Sequence, residues 1–364
     1  MRINNSERRH DIDWLRVIAI GLLIIYHVSI GFQSWGLMIG FISNKESWTS
    51  LWIAMSLINI WRIPLLFFIS GMGVFFALQK RNWKQLIQER SKRILLPFIF
   101  GMLFVVPVHF LILQKYYAWN ISYSPSPSHL WFLGNIFIYI VLMLPFFIYL
   151  KNTANWQIVA YLKRAFSSPL VLLIVVGCFV LEAVIVKPMP YELYAMTIHG
   201  FLLGLLAFLF GYLFVLCGKP FCSMILTWRW LFFLAAMLLY IYRIYQNQIP
   251  AYQLSIESNL WIFCILAFAY KYLNSPSRTL SYLSESAYPV YIIHMIVLYG
   301  AAYLVFPLNL DVKLKFVLVA VCTLAGTLGL YELFIRRIAI IRPLFGLKIE
   351  NNRTKSPSLI LKET

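Results

Sequence analysis

Asp11-Ile-Asp-Trp-Leu-Arg-Val-Ile-Ala-Ile-Gly-Leu-Leu-Ile-Ile-Tyr-His27 is an apolar run that opens on a charge pair and ends on a histidine. Its length predicts a membrane-crossing helix rather than a soluble core helix. Asp13 and Arg16 are three residues apart, which makes them neighbours on a helix. Arg16 and His27 are separated by roughly 20° of net rotation, and Asp13 and His27 by roughly 40°. All three therefore share one face, with His27 about 20 Å along the axis from Asp13. Polar groups at that depth are costly unless they face a protein interior or a wet cavity.

The rest of the chain repeats this pattern. Of its 364 residues 61% are hydrophobic and 12% charged, about half the charged fraction of a soluble domain. Apolar runs of about 20 residues follow one another, so the expected fold is all-α: a polytopic membrane protein of about ten transmembrane helices. Expected helices lie near residues 12–35, 63–79, 94–113, 129–150, 169–186, 195–216, 230–245, 256–272, 287–305 and 314–334. Trp52–Trp61 is amphipathic and either lies along the surface or extends the second helix. Lys219–Arg229 reads as a connector. The net charge of +18 would suit nucleic acid in a soluble protein, but here the basic residues sit between apolar runs and act as orientation signals. With the N-terminus inside, Lys and Arg fall on the cytoplasmic side except Lys45, Arg62, Lys115, Lys187, Arg243, Lys313 and Lys315. Both termini are thus expected in the cytoplasm. Residues 1–335 form the membrane domain, and 336–364 are expected to be a basic cytoplasmic tail. The first run is too long for a signal h-region and lacks a small-residue cleavage site. The five cysteines show no zinc spacing or disulfide framework, and no metal site is expected.

Three polar zones stand out against this background. At the inner mouth, Arg90 and Arg93 precede Pro97 and join Arg16 in a basic cluster suited to phosphate. At mid-depth, His294 in Ser286-Ala-Tyr-Pro-Val-Tyr-Ile-Ile-His294 approaches the depth of His27 from another helix. Pro289 is expected to bend that helix nearby. At the outer mouth stand Arg62, ahead of Pro64, and His129 with Trp131 behind a Ser-Pro-Ser-Pro-Ser loop. Histidine suits general base work near neutral pH. Asp13 is too distant to orient the His27 ring and is expected to pair with Arg16. His109 and His199 read as structural.

Five stretches, in order, resemble the membrane acyltransferase 3 family. They are Asp13-Trp-Leu-Arg16 with His27, Arg62-Ile-Pro-Leu-Leu-Phe-Phe-Ile-Ser-Gly71, Arg90-Ser-Lys-Arg-Ile-Leu-Leu-Pro97, His129-Leu-Trp-Phe-Leu133, and Ser286 to His294. The Arg62 and His129 forms look most like the branch containing glucan biosynthesis protein C, which is associated with succinylation of periplasmic glucans. The resemblance implies an O-acyltransferase of the bacterial inner membrane. It implies transfer of an acyl group, acetyl or succinyl, from cytoplasmic acyl-CoA to a hydroxyl of a periplasmic or cell-surface glycan. On this reading His27 is catalytic, with His294 and Asp13 in support. Arg16, Arg90 and Arg93 serve the donor, and Arg62, His129 and Trp131 the acceptor side. The alternative is a transporter of a glycan, lipid-linked sugar or organic anion. A transporter would use the same basic mouth and central histidine, but often shows an inverted repeat, and no second copy of the first-helix pattern is found.

Overall fold

The computed structural model describes residues 9–153, 157–246 and 248–348, and among these it is helical with no strand. The membrane has no water to satisfy backbone groups, so each long apolar run closes its own hydrogen bonds as a helix. The helices are α1 (His10–Ile30), α2 (Leu51–Lys80), α3 (Trp83–Tyr116), α4 (Ser128–Asn152), α5 (Gln157–Ala165), α6 (Leu170–Val186), α7 (Ile198–Cys217), α8 (Lys219–Tyr245), α9 (Ala251–Tyr272), α10 (Arg278–Val305) and α11 (Val312–Ile335). Nine are long and apolar enough to cross a membrane; α5 and α6, bent by 92°, make a tenth if taken as one broken span. The chain is a multi-pass membrane protein, as its composition predicts.

One open boundary is decided and another differs from expectation. Trp52–Trp61 is an extension of α2, whose 30 residues span about 45 Å at 1.5 Å per residue. Lys219–Arg229 is helical rather than a connector. Gly218, at φ +62°, ends α7, and Lys219-Pro220 opens α8 directly, proline being well tolerated in a first turn. Helix α3 is continuous but carries two π turns, Ser91–Leu95 and Gly101–Val105. Each is followed at once by a residue and then a proline, Pro97 and Pro107. Proline lacks an N–H and crowds the carbonyl four residues back, so the turn ahead of it widens.

Proline also shapes α2. Pro64 leaves the Ile60 carbonyl without its helical donor. Tyr194 and Ser258 supply donors instead, their hydroxyls reaching Ile60 O at 3.1 and 2.8 Å. Helices α2 and α7 pack backbone to backbone. A Cβ on Gly71 would fall 1.9 Å from Phe208 O, and one on Gly211 would fall 2.0 Å from Phe68 O. Small residues permit such approach where lipid gives no hydrophobic drive between helices.

One end of the bundle is basic. Arg9, Arg16, the segment 80–93 and Lys151 gather there, with Lys151 Nζ donating to Leu78 O. The chain beyond α11 returns to this end. A short 3-10 turn, Arg342–Phe345, sets Phe345 edge-on to Phe100 and brings Gly346 O to Arg93 Nε at 3.3 Å. At the opposite end, the loop after α1 folds back over the helices. Lys315 Nζ holds it by donating to Asn44 Oδ1 and Phe306 O.

Candidate active site

Four helices bring four histidines together. His27 comes from the last turns of α1, His109 from α3, His129 from the start of α4 and His294 from the middle of α10. His27 Nδ1 lies 2.9 Å from His294 Nε2, and the two rings are stacked within 4° of parallel. The His294 ring meets His129 at 5.1 Å between centroids, and His129 meets His109 at 5.6 Å. His109, His129 and His294 are buried; His27 is half-buried, so it is the most accessible of the four.

The protons of the central pair follow from a single neighbour. His294 Nδ1 is 2.7 Å from Tyr291 O. A carbonyl only accepts, so Nδ1 of His294 carries the hydrogen and its Nε2 carries the lone pair. That lone pair accepts from His27 Nδ1–H. The lone pair of a neutral His27 therefore sits on Nε2, the nitrogen turned away from His294. The turn holding His294 is itself clamped. His129 Nε2 donates to Ile292 O at 3.1 Å, and the Tyr291 hydroxyl donates to His129 O. Phe41, from the loop after α1, closes over the His27 ring at 5.7 Å.

Arg62 lies deeper than its sequence position suggests. It is fully buried rather than at the mouth. Its guanidinium sits 4.3 Å above the Tyr26 ring and reaches Leu22 O and Asn59 Oδ1 only at 3.4 Å. Its Nε has no partner, and no carboxylate pairs with it among the described residues. A cation held this way, next to His27 in the chain fold, favours negative charge developing beside it.

The donor-side arginines lie at the basic end. Arg16 pairs with Asp13 at 3.3 Å, as the spacing predicts. Glu89 bridges Arg81 and Arg93 at 3.3 and 3.4 Å. Arg90 is close to Arg16, Arg81 and Arg93, and its Nε is buried without a partner, as is the Tyr288 hydroxyl beside it. Four arginines thus converge with two carboxylates paired to them. The excess of positive charge and the open donors suit phosphate oxygens. Along α1, Arg16 and His27 are about 16 Å apart.

Of the sequence-predicted residues, the fold joins His27, His294 and His129, and sets Arg62 beside them. It leaves Asp13 at the far end of α1 with Arg16. Trp131 packs into apolar core against Phe67 and Phe132. Two contributors were not predicted. His109 carries no motif; its position opposite His129 comes from the α3–α4 approach. Tyr291 lies inside a quoted motif, yet its roles, a backbone acceptor and a hydroxyl clamp, have no sequence signal. Among the described residues no group of three or more His, Cys, Asp or Glu is placed to hold a metal.

A helical membrane protein with a hydrogen-bonded histidine pair inside and an arginine cluster at one end defines a class of group-transfer or transport proteins. The comparison of sequences decides between them. The family model described as an acyltransferase domain, that of the acyltransferase 3 family, matches residues 9–332, and the chain belongs to this family. It is a membrane acyltransferase. No curated protein and no solved structure matches the chain.

Proposed function

We propose that the protein transfers an acetyl or succinyl group from cytoplasmic acyl-CoA to a hydroxyl of a periplasmic or cell-surface glycan, in the inner membrane of a bacterium. The observation that carries this reading is the His27–His294 bond, with His294 locked on Tyr291 O. Acyl-CoA docks its phosphates on Arg16, Arg90 and Arg93, and its thioester reaches His27. Asp13 holds Arg16. The acceptor hydroxyl gives its proton to His27 Nε2 as its oxygen attacks the thioester carbonyl. His294 Nε2 accepts from His27 Nδ1–H throughout, which keeps the ring in the useful tautomer and steadies the imidazolium. Arg62 faces the negative charge on the tetrahedral oxygen. The carbon–sulfur bond then breaks, the departing thiolate takes the proton from His27, and free CoA and the ester leave. His129 holds the Tyr291–His294 turn. Within the family, the branch of glucan biosynthesis protein C is the one we favour, on the Arg62 and His129 motifs.

The test is CoA release from acetyl-CoA and succinyl-CoA by purified protein in lipid with periplasmic glucan, for wild type and His27→Ala. Release with esterification by wild type alone supports the reading and names the donor. Consumption of neither donor, with movement of glycan across the bilayer, would replace it with transport. A burst of CoA without acceptor, with the acyl group retained on protein, would replace direct transfer by an acyl-histidine.

A further inference from the structure

A second buried polar cluster lies beside the histidines, at the end opposite the arginines. It is built by α6, α7, α8, α9, the outer part of α2 and the segment 187–197. His199 Nδ1–H donates to Glu182 at 2.9 Å. Arg243 makes a two-pronged pair with Glu257 at 2.8 and 2.9 Å and reaches Glu192 at 3.7 Å. Tyr191 and Tyr194 flank the His199 ring at 4.8 and 5.5 Å. Each carboxylate here has a donor, Arg243 for Glu257 and Glu192 and the His199 N–H for Glu182, and the one arginine is already held by two of them, unlike Arg62.

What is not compensated is a set of neutral hydrogen-bonding positions. Tyr191 Oη, His199 Nε2, Ser255 Oγ and Asn259 Oδ1 are all buried, and among the described residues none closes a hydrogen bond of ordinary geometry. They are contiguous. The Tyr191 ring abuts His199, its hydroxyl neighbours Ser255 without closing a bond of ordinary geometry, and Asn259 Nδ2 donates to Ser255 O one turn away. Buried polar atoms almost always find partners, so four adjacent exceptions in a membrane protein call for an external one. The cluster is continuous with the histidine site, since Tyr194 is anchored on Ile60 O, the carbonyl that Pro64 releases, and stands close to Arg62.

We infer that this cluster binds the acceptor, and that the ligand is a neutral polyhydroxyl compound, a carbohydrate. Its assignment as the acceptor site rests on the acyl-transfer reading. The open positions have the required mixture. Asn259 Oδ1 accepts only, and so does His199 Nε2 in the neutral ring, because Nδ1 holds the hydrogen. The Tyr191 and Ser255 hydroxyls accept or donate. The faces of Tyr191 and Tyr194 offer apolar surface for the C–H side of a sugar. An anionic ligand here would meet Glu182, Glu192 and Glu257, with Arg243 already held by two of them, so negative charge is not what this cluster selects.

The experiment uses the full chain in lipid nanodiscs. Binding of neutral pentaoses of glucose, galactose and mannose is measured by calorimetry for wild type, Ser255→Ala and Asn259→Ala. Acceptor and donor KM are measured in the transfer assay with the same proteins. At least one pentaose binds wild type, and each variant weakens it about tenfold, the scale of one hydrogen bond. Acceptor KM rises by a similar factor, and donor KM moves much less. Ser255 Oγ closes no hydrogen bond of ordinary geometry among the described residues, so Ser255→Ala is expected to keep the unfolding temperature of wild type, measured alongside; weakened binding at an unchanged unfolding temperature is then not misfolding. Pentaose binding that depends on Ser255 and Asn259, with no consumption of acyl-CoA, upholds the site and removes the acyl-transfer reading. Acyl transfer with no pentaose binding to wild type, or with binding indifferent to both variants, overturns the site.

Discussion

Two residues of the histidine site carry opposite predictions. His294 acts through His27, so its loss is a positioning defect. His294→Ala is expected to lower kcat by about 10²–10⁴-fold, the range for general base catalysis, with donor KM little changed. The rate of wild type falls as pH drops and His27 takes a proton; in His294→Ala that limb of the profile moves, because the partner that favours the Nδ1–H form is gone. An identical profile in the two proteins would argue against the tautomer assignment. Arg62 is a different case. It is a buried cation with no carboxylate partner among the described residues, and taking a lone charge out of water costs several kcal/mol. Arg62→Met should therefore raise the thermal midpoint in detergent while cutting kcat by about 10²–10³-fold. A variant that loses both stability and activity would show Arg62 to be structural.

At the scale of elements, the α2–α7 contact carries the firmest expectation. A side chain at Gly71 or Gly211 must push two backbones apart, since its Cβ would lie inside the radius of a carbonyl oxygen. Gly211→Val is expected to destabilise by about 1–3 kcal/mol or more, the cost of overpacking, seen as a lower unfolding temperature and aggregation on size-exclusion chromatography. Gly73, on α2 two residues beyond Gly71, has nothing near its Cβ, so Gly73→Ala should be silent and serves as control. The π turns of α3 place Arg90 and Arg93 around the arch ahead of Pro97. Pro97→Ala restores an N–H and allows a regular turn, so donor KM should rise while acceptor KM holds.

For the whole molecule, orientation is the property to test. Single cysteines at Ser275 and Ser124, introduced in a cysteine-free background, should label from opposite faces of sealed vesicles, with Ser275 on the cytoplasmic face. Labelling of both from one face would refute the topology derived from Lys and Arg. The basic end also predicts a salt effect. Donor KM should rise with ionic strength, since the Debye length shrinks to about 8 Å at 0.15 M, and Arg90→Gln should flatten that dependence.

Sequence alone determined the class: runs of apolar residues in a chain 12% charged leave helices in a membrane as the one solution for the backbone. Helical arithmetic also put Asp13 against Arg16 and His27 on their face, because a helix is a local object whose geometry is known in advance. Tertiary structure decided everything that depends on two helices meeting. Arg62 is buried rather than at a mouth because α2 begins at Leu51, about three turns earlier than its apolar run implied. His109 joins His129 because α3 and α4 converge behind the Ser-Pro loop. The lone pair of His27 is placed by a carbonyl of Tyr291, and backbone carbonyls carry no mark in a sequence. The partnerless atoms of Tyr191, His199, Ser255 and Asn259 became visible only once their neighbours were known, since being unpaired is a relation among residues and not a property of any one of them.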